Sequence, residues 1–271
     1  MISEPTVCLW CTTEISSFIR VRPRVLHNLS AVFLKLGYHV ILFNTRGVGE
    51  SSGRASFTGI SESQDLRAVL AWAVEEIVHL DTAVLVGYSY GSLITSMVPS
   101  PKRLHPERIK RAAHILISHP LGPMASFITF FNTAKYTSAF DQVLADPGLD
   151  VLLIYGNNDQ FFSLKRYESW VARCREIRGQ ASENPGAPLG HGAEDETIPP
   201  TIPIANAIGV CSTTSPPTRG VDSVNPRASV STGPRGPRKL EEKMIEHGDH
   251  FWRGSSGTYL RNAVSDWVEK L

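Results

Sequence analysis

The chain has 271 residues, a formal net charge of +1, 42% hydrophobic residues and 20% charged ones. That length and apolar share can bury one sizeable core, and the near-neutral balance excludes a global charge that would recruit nucleic acid or an anionic membrane. Cys8, Cys11, Cys174 and Cys211 have neither zinc-ligand spacing nor the density of a disulfide framework, and no apolar run approaches membrane-spanning length. With no basic n-region or apolar h-region after Met1, these features lead to the expectation of a cytoplasmic protein without membrane or nucleic-acid partners.

Strands and helices alternate along the chain. Val7 to Cys11 reads as a first strand, and Val25 to Gly37 as a helix with apolar residues at helical spacing, closed by its glycine. Tyr38 to Phe43 is a strand. The following Gly47-Val48-Gly49 is a poor phosphate loop, because the next helix opens only at Ser61 and offers no N-terminus to a pyrophosphate. That helix runs to about His79, with Ser61 and Gln64 spaced as a capping box. Thr82 to Val86, Ala112 to Ser118 and Asp150 to Tyr155 are buried-strand candidates, Ser163 to Arg178 is a helix, and Lys243 to Glu246 is a short strand before a last helix over Ser256 to Leu271. This order implies an α/β fold with a mostly parallel central sheet covered by helices on both faces.

Between 179 and 239 the composition shifts to Pro, Gly, Ser and Thr and apolar periodicity vanishes. Such a segment buries too little surface to offset its ordering entropy, and reads as a disordered insertion. It divides the core into a first part, 1–178, and a final part, 240–271. Loop-closure cost grows only logarithmically with length, so the core tolerates it.

The most informative stretch is Val84-Leu85-Val86-Gly87-Tyr88-Ser89-Tyr90-Gly91-Ser92-Leu93-Ile94, an apolar run that stops at Gly-x-Ser-x-Gly and restarts as a small-residue helix. This is the pattern of a nucleophile elbow, in which a serine sits at a sharp strand-to-helix corner beside the amide of the next residue, here Tyr90. The motif alone is weak, and its weight depends on partners in the order Ser, acid, His. Asp159 follows the strand ending at Tyr155, a position that favours it over Asp141, Asp146 and Asp249. Of the later histidines, His191 lies in the low-complexity stretch and His247 at a strand end. His250 follows a Gly-Asp turn and precedes the aromatic pair Phe251-Trp252, which could pin the ring.

Four motifs, Phe43-Asn44-Thr45-Arg46-Gly47-Val48-Gly49-Glu50-Ser51-Ser52-Gly53, Gly87-Tyr88-Ser89-Tyr90-Gly91, Tyr155-Gly156-Asn157-Asn158-Asp159 and Gly248-Asp249-His250-Phe251-Trp252, together resemble the α/β-hydrolase superfamily. More narrowly, they are similar to its small, lid-poor serine hydrolases of bacteria and fungi. The resemblance implies a Ser89-His250-Asp159 triad acting on an ester, thioester or related small acyl compound through an acyl-enzyme, with no metal or organic cofactor. It also implies that Arg46 braces its loop. Phe127, Phe130, Phe131 and Tyr136 could line an acyl or aromatic pocket, although at that spacing a helix packing on the core is the better account of most of them.

Two departures from the family stand out. No antiparallel hairpin is readable before the first strand, and the loop after Cys11 reads Thr12-Thr13-Glu14-Ile15-Ser16 where relatives carry a His-Pro, Gly-Gly sequence. The Tyr90 amide is thus one expected oxyanion donor, and Thr12 or Thr13 the best positions for a second. The alternative functions are a non-hydrolytic acyltransferase or cyclase of a biosynthetic pathway, or a catalytically impaired binding protein on the same fold.

Overall fold

The computed structural model describes residues 6–12, 24–48, 51–56, 58–129, 131–183, 210–214 and 239–271. In chain order the elements are β1 (Thr6–Thr12), α1 (Arg24–Lys35), β2 (Tyr38–Asn44), α2 (Ile60–Glu76), β3 (Thr82–Tyr88), α3 (Tyr90–Ser96), α4 (Pro101–Leu104), β4 (Arg111–Ile117), α5 (Gly122–Ile128), α6 (Thr133–Ala145), β5 (Leu149–Gly156), α7 (Leu164–Glu183), β6 (Val210–Thr214), β7 (Leu240–Ile245) and α8 (Ser255–Val268). The described strands form one sheet in the order β6-β2-β1-β3-β4-β5-β7. Every neighbouring pair is parallel except β2 and β6.

Both faces of this sheet are covered, which is why its central strands read as continuous apolar runs. On β3, Val84 and Val86 pack with Val25, Leu29 and Phe33 of α1 and Leu260 and Val264 of α8. The alternate residues Ala83 and Leu85 pack with Leu66 and Leu70 of α2, Leu93 of α3 and Tyr167 of α7. Helix α1 stops at Gly37, whose φ of 85° lets the chain reverse into β2. The Tyr38 ring then meets Phe33 edge-on at 5.4 Å.

The register sends four strand ends to one side. Tyr88 pairs with Ile117, Ile117 with Ile154, and Gly156 with Ile245, so the loops after β3, β4, β5 and β7 leave a common carboxyl edge. In open parallel sheets that edge is where ligands bind.

Three local readings are revised. The Ser61/Gln64 capping box does not form: α2 starts at Ile60 behind Gly59, which has φ 70° and supplies no side-chain cap. Instead the Glu62 carboxylate accepts the Ser56 amide at 2.6 Å and the Ser56 hydroxyl, a charge-assisted pairing that a glutamine cannot match. Helix α7 continues through Gly179–Glu183, past the composition boundary. Val210–Thr214, inside the same compositional segment, is β6, whose Val and Thr residues suit the extended backbone that pairs antiparallel with β2. The rest of the proposed disordered insertion, 184–209 and 215–238, lies outside the described residues. An antiparallel edge is thus present, but it comes from late in the chain and not from a hairpin ahead of β1.

Among the described residues, no helix is long and apolar enough to cross a membrane. The Arg46 guanidinium clamps the loop after β2 onto α2 through two bonds to Asp65, at 2.8 and 2.5 Å.

His114, in mid-β4, is fully buried and neither ring nitrogen has a partner among the described residues. Burial lowers its pKa to about 3, and burial does the same for His119. Both rings are therefore neutral when folded and take up a proton when unfolded, at an ordinary pKa near 6.5. Their contribution is fully present above pH 6.5 and is lost as pH falls toward 3, at about 1.4 kcal/mol per pH unit for each ring. Urea unfolding of His114→Leu should show two changes. Stability at neutral pH should rise by about 1 kcal/mol, since an unsatisfied buried polar group is removed. Its decline from pH 6.5 to 4.5 should be shallower than wild type by about one proton.

Candidate active site

Ser89 occupies the corner between β3 and α3 with φ 52° and ψ −124°. A non-glycine residue there is strained by about 1–3 kcal/mol and persists only where its surroundings dictate it. The Ser89 amide donates to the Ile117 carbonyl at 2.9 Å, and the Ser89 carbonyl accepts from the Ser92 amide at 2.9 Å and the Ser92 hydroxyl at 2.6 Å. Gly87 makes the turn possible, because a Cβ there would lie 2.5 Å from the Ser92 Cα and 2.6 Å from the Gly91 carbonyl oxygen.

The three side chains singled out from the sequence converge. Ser89 Oγ lies 2.9 Å from His250 Nε2, and His250 Nδ1 lies 2.8 Å from Asp159 Oδ2. The Asp159 side chain is wholly buried, and its other oxygen accepts the Phe161 amide at 2.8 Å and the Phe162 amide at 3.2 Å. With Nδ1 donating to a carboxylate, Nε2 is left as an acceptor facing the serine proton.

The ring of His250 is packed as well as bonded. Phe161 meets it edge-on at 4.7 Å and Phe251 at 5.5 Å. Its backbone is tied by its amide to Gln160 Oε1 at 3.0 Å and by its carbonyl to the Tyr88 hydroxyl at 2.8 Å. Burial and the nearby Asp159 charge both raise the Tyr88 pKa, so the phenol remains a donor. The Trp252 indole anchors the same turn on Ser118 at 3.1 Å.

The rival carboxylates are engaged elsewhere. Asp141 pairs with Arg173 at 2.5 Å, Asp146 accepts the Gly148 amide at 2.8 Å, and Asp249 pairs with Arg253 at 2.7 Å. His247 is exposed, and its amide donates to Asn157. Thr12 closes β1 beside Asn44, on the strand next to β3. Thr13, His191 and Phe130 lie outside the described residues. Tyr136 belongs to the core and donates to the Thr58 carbonyl, whereas Phe127 and Phe131 are 71% and 81% exposed and so neither line an enclosed pocket nor pack in the core. Cys174 is buried, and burial pushes its thiol up to about 12. Among the described residues no three His, Cys, Asp or Glu side chains group as metal ligands.

The residues missed from sequence are Gln160, Ser92 and His119, and the amides of Phe161 and Phe162. Asp159 followed by Gln160-Phe161 fits an Asx-turn, in which a carboxylate bonds an amide two residues on, and that signal was available. His119 carries no such local mark, because its partner lies on another element.

The chain has the α/β-hydrolase fold. Residues 23–135 match the protein family described as alpha/beta hydrolase fold. Among solved structures it resembles an alpha-beta serine hydrolase homologue from Coxiella burnetii (TM-score 0.55, 17% identity, 96% of this chain and 84% of that one). It also resembles XC6422 from Xanthomonas campestris, a serine hydrolase without a lid (TM-score 0.56, 17% identity, 98% and 81%). A third similar structure is Est1E from Butyrivibrio proteoclasticus with ferulic acid bound (TM-score 0.57, 12% identity, 98% and 88%). No curated protein matches the sequence.

Gly156 and Gly248 join the acid and histidine turns back to back: a Cβ on Gly156 would stand 2.0 Å from the Gly248 carbonyl oxygen and 2.4 Å from its carbon. Because backbone must move to admit it, Gly156→Ala should cost about 3 kcal/mol in chemical denaturation. Gly179→Ala is the matched control, since its Cβ meets nothing within 4 Å and the residue sits in α7. It should be neutral or stabilising by up to about 1 kcal/mol.

Proposed function

We propose that the chain is a serine hydrolase acting on an ester, thioester or related small acyl compound. The observation that carries this reading is the continuous hydrogen-bonded chain from Ser89 through His250 to Asp159 at the carboxyl edge of the sheet. In this reading His250 Nε2 takes the Ser89 proton as Oγ attacks the acyl carbonyl. Asp159 holds the imidazole in the productive tautomer and stabilises the imidazolium that forms. His250 then returns the proton to the leaving group, and water, deprotonated by the same nitrogen, releases the acyl group from Ser89. In the same reading the Tyr90 amide, at the start of α3, stabilises the tetrahedral oxyanion. The fold neighbours from Coxiella burnetii, described as a serine hydrolase homologue, and Xanthomonas campestris, described as a serine hydrolase, add support.

A fluorophosphonate should label the purified wild type and leave Ser89→Ala unlabelled. Labelling that persists in Ser89→Ala places the nucleophile elsewhere, and unlabelled, folded wild type favours a binding protein. Turnover of short-chain nitrophenyl esters separates the histidines: His250→Ala should lose at least about a hundredfold in kcat, while His247→Gln should stay near wild type. The reverse ranking in folded variants would transfer the base to His247.

A further inference from the structure

We propose that His119 is a positioning residue for Ser89, acting through the hydroxyl of Ser92; the inference rests on Ser89 being the nucleophile. His119 follows β4 and is buried, with its Nδ1 3.0 Å from Ser92 Oγ. Ser92 Oγ is in turn 2.6 Å from the Ser89 carbonyl oxygen. The proton arrangement follows from valence. A carbonyl only accepts, so the single Ser92 hydroxyl proton is donated to Ser89, and His119 must supply the proton between Nδ1 and Oγ. The Nδ1–H tautomer of His119 thus fixes the Ser92 rotor, and the rotor fills the second lone pair of the Ser89 carbonyl.

That carbonyl belongs to the residue with the strained backbone. Swinging it would rotate the plane of the following peptide, whose N–H is the Tyr90 oxyanion donor, and would move Oγ off the His250 nitrogen. His119 is itself held by a wall of rings from outside the elbow. Its ring is stacked on Trp170 of α7 at 4.8 Å with 5° between planes and on Phe140 of α6 at 5.6 Å, and its carbonyl accepts the Tyr167 hydroxyl at 3.1 Å. The chain of contacts therefore runs from α6 and α7 through His119 and Ser92 to the nucleophile. No acid-base step passes through His119; its work is geometric.

Two substitutions at this position separate packing from positioning. Phenylalanine keeps the stacked ring and loses the donor. Asparagine loses the stack and keeps an N–H near the position of Nδ1. His119→Phe should melt close to wild type yet react with a fluorophosphonate about tenfold more slowly, as expected for losing one buried hydrogen bond that orients the nucleophile. His119→Asn should melt lower and recover most of the labelling rate. Ser92→Ala should slow labelling at least as much as His119→Phe, and the double variant should be no slower than Ser92→Ala alone. In ester turnover the loss should appear in kcat with KM little changed. If His119→Phe labels as fast as wild type, or if the double variant shows the product of the two single losses, His119 does not act through Ser92. Failure of the folded wild type to label at all would instead overturn the serine-hydrolase reading and this inference with it.

Discussion

A serine held at φ 52° and ψ −124° is unstable in isolation, and much of the molecule serves to hold it there. The strain sets strict requirements nearby. Only glycine fits at Gly87, because the first turn of α3 comes back over it, and both the amide and the carbonyl of Ser89 must be tied. In return Oγ projects from the sheet edge at a fixed angle, with the amide of Tyr90 beside it. Any route by which the turn relaxed would move the hydroxyl and the amide together.

The second constraint is the contact between the turns after β5 and β7. Parallel pairing brings Gly156 opposite Ile245, and the Asn158 amide donates to the Gly248 carbonyl at 3.0 Å. Asp159 and His250 therefore sit on two loops that act as one piece, laced further by Gln160 and by the bond from His247 to Asn157. Tyr88, the residue before Ser89, reaches across to the His250 carbonyl and ties that piece to the elbow. None of these ties uses a side chain of Ser89, Asp159 or His250, so the spacing between the three is set before any of them adopts a rotamer.

The elements legible from sequence were those whose signal is local. β3, β4 and β5 are unbroken apolar runs, and α1 carries its buried stripe at helical spacing. Ser89, Asp159 and His250 were readable because strand ends and turn residues fix where they fall, and the structure brings the three together. What sequence did not disclose depends on partners distant in the chain. β6 is a strand only because β2 offers an unpaired edge, and five residues of Val, Cys, Ser and Thr carry no such instruction themselves. The α2 cap was misassigned because Glu62 turns back to Ser56, outside the helix, where Ser61 and Gln64 match the pattern. Phe127 and Phe131 have the composition of core residues, yet they are exposed on α5 and the turn after it.

The sheet ends in two border strands, the antiparallel β6 and the parallel β7. On one side β6 lies along β2 and satisfies its outward-facing backbone groups. On the other, β7 has no further strand among the described residues, and its sequence is Leu240-Glu241-Glu242-Lys243-Met244-Ile245. A second chain adding a strand there would have to bring its own side chains against three consecutive charges, one of them, Glu242, already paired with Arg175 at 2.5 Å. Charged residues on a bare border are a recognised guard against sheet-to-sheet polymerisation. The border nearest His250 thus carries charge along its middle, which disfavours the addition of a strand from a second chain there.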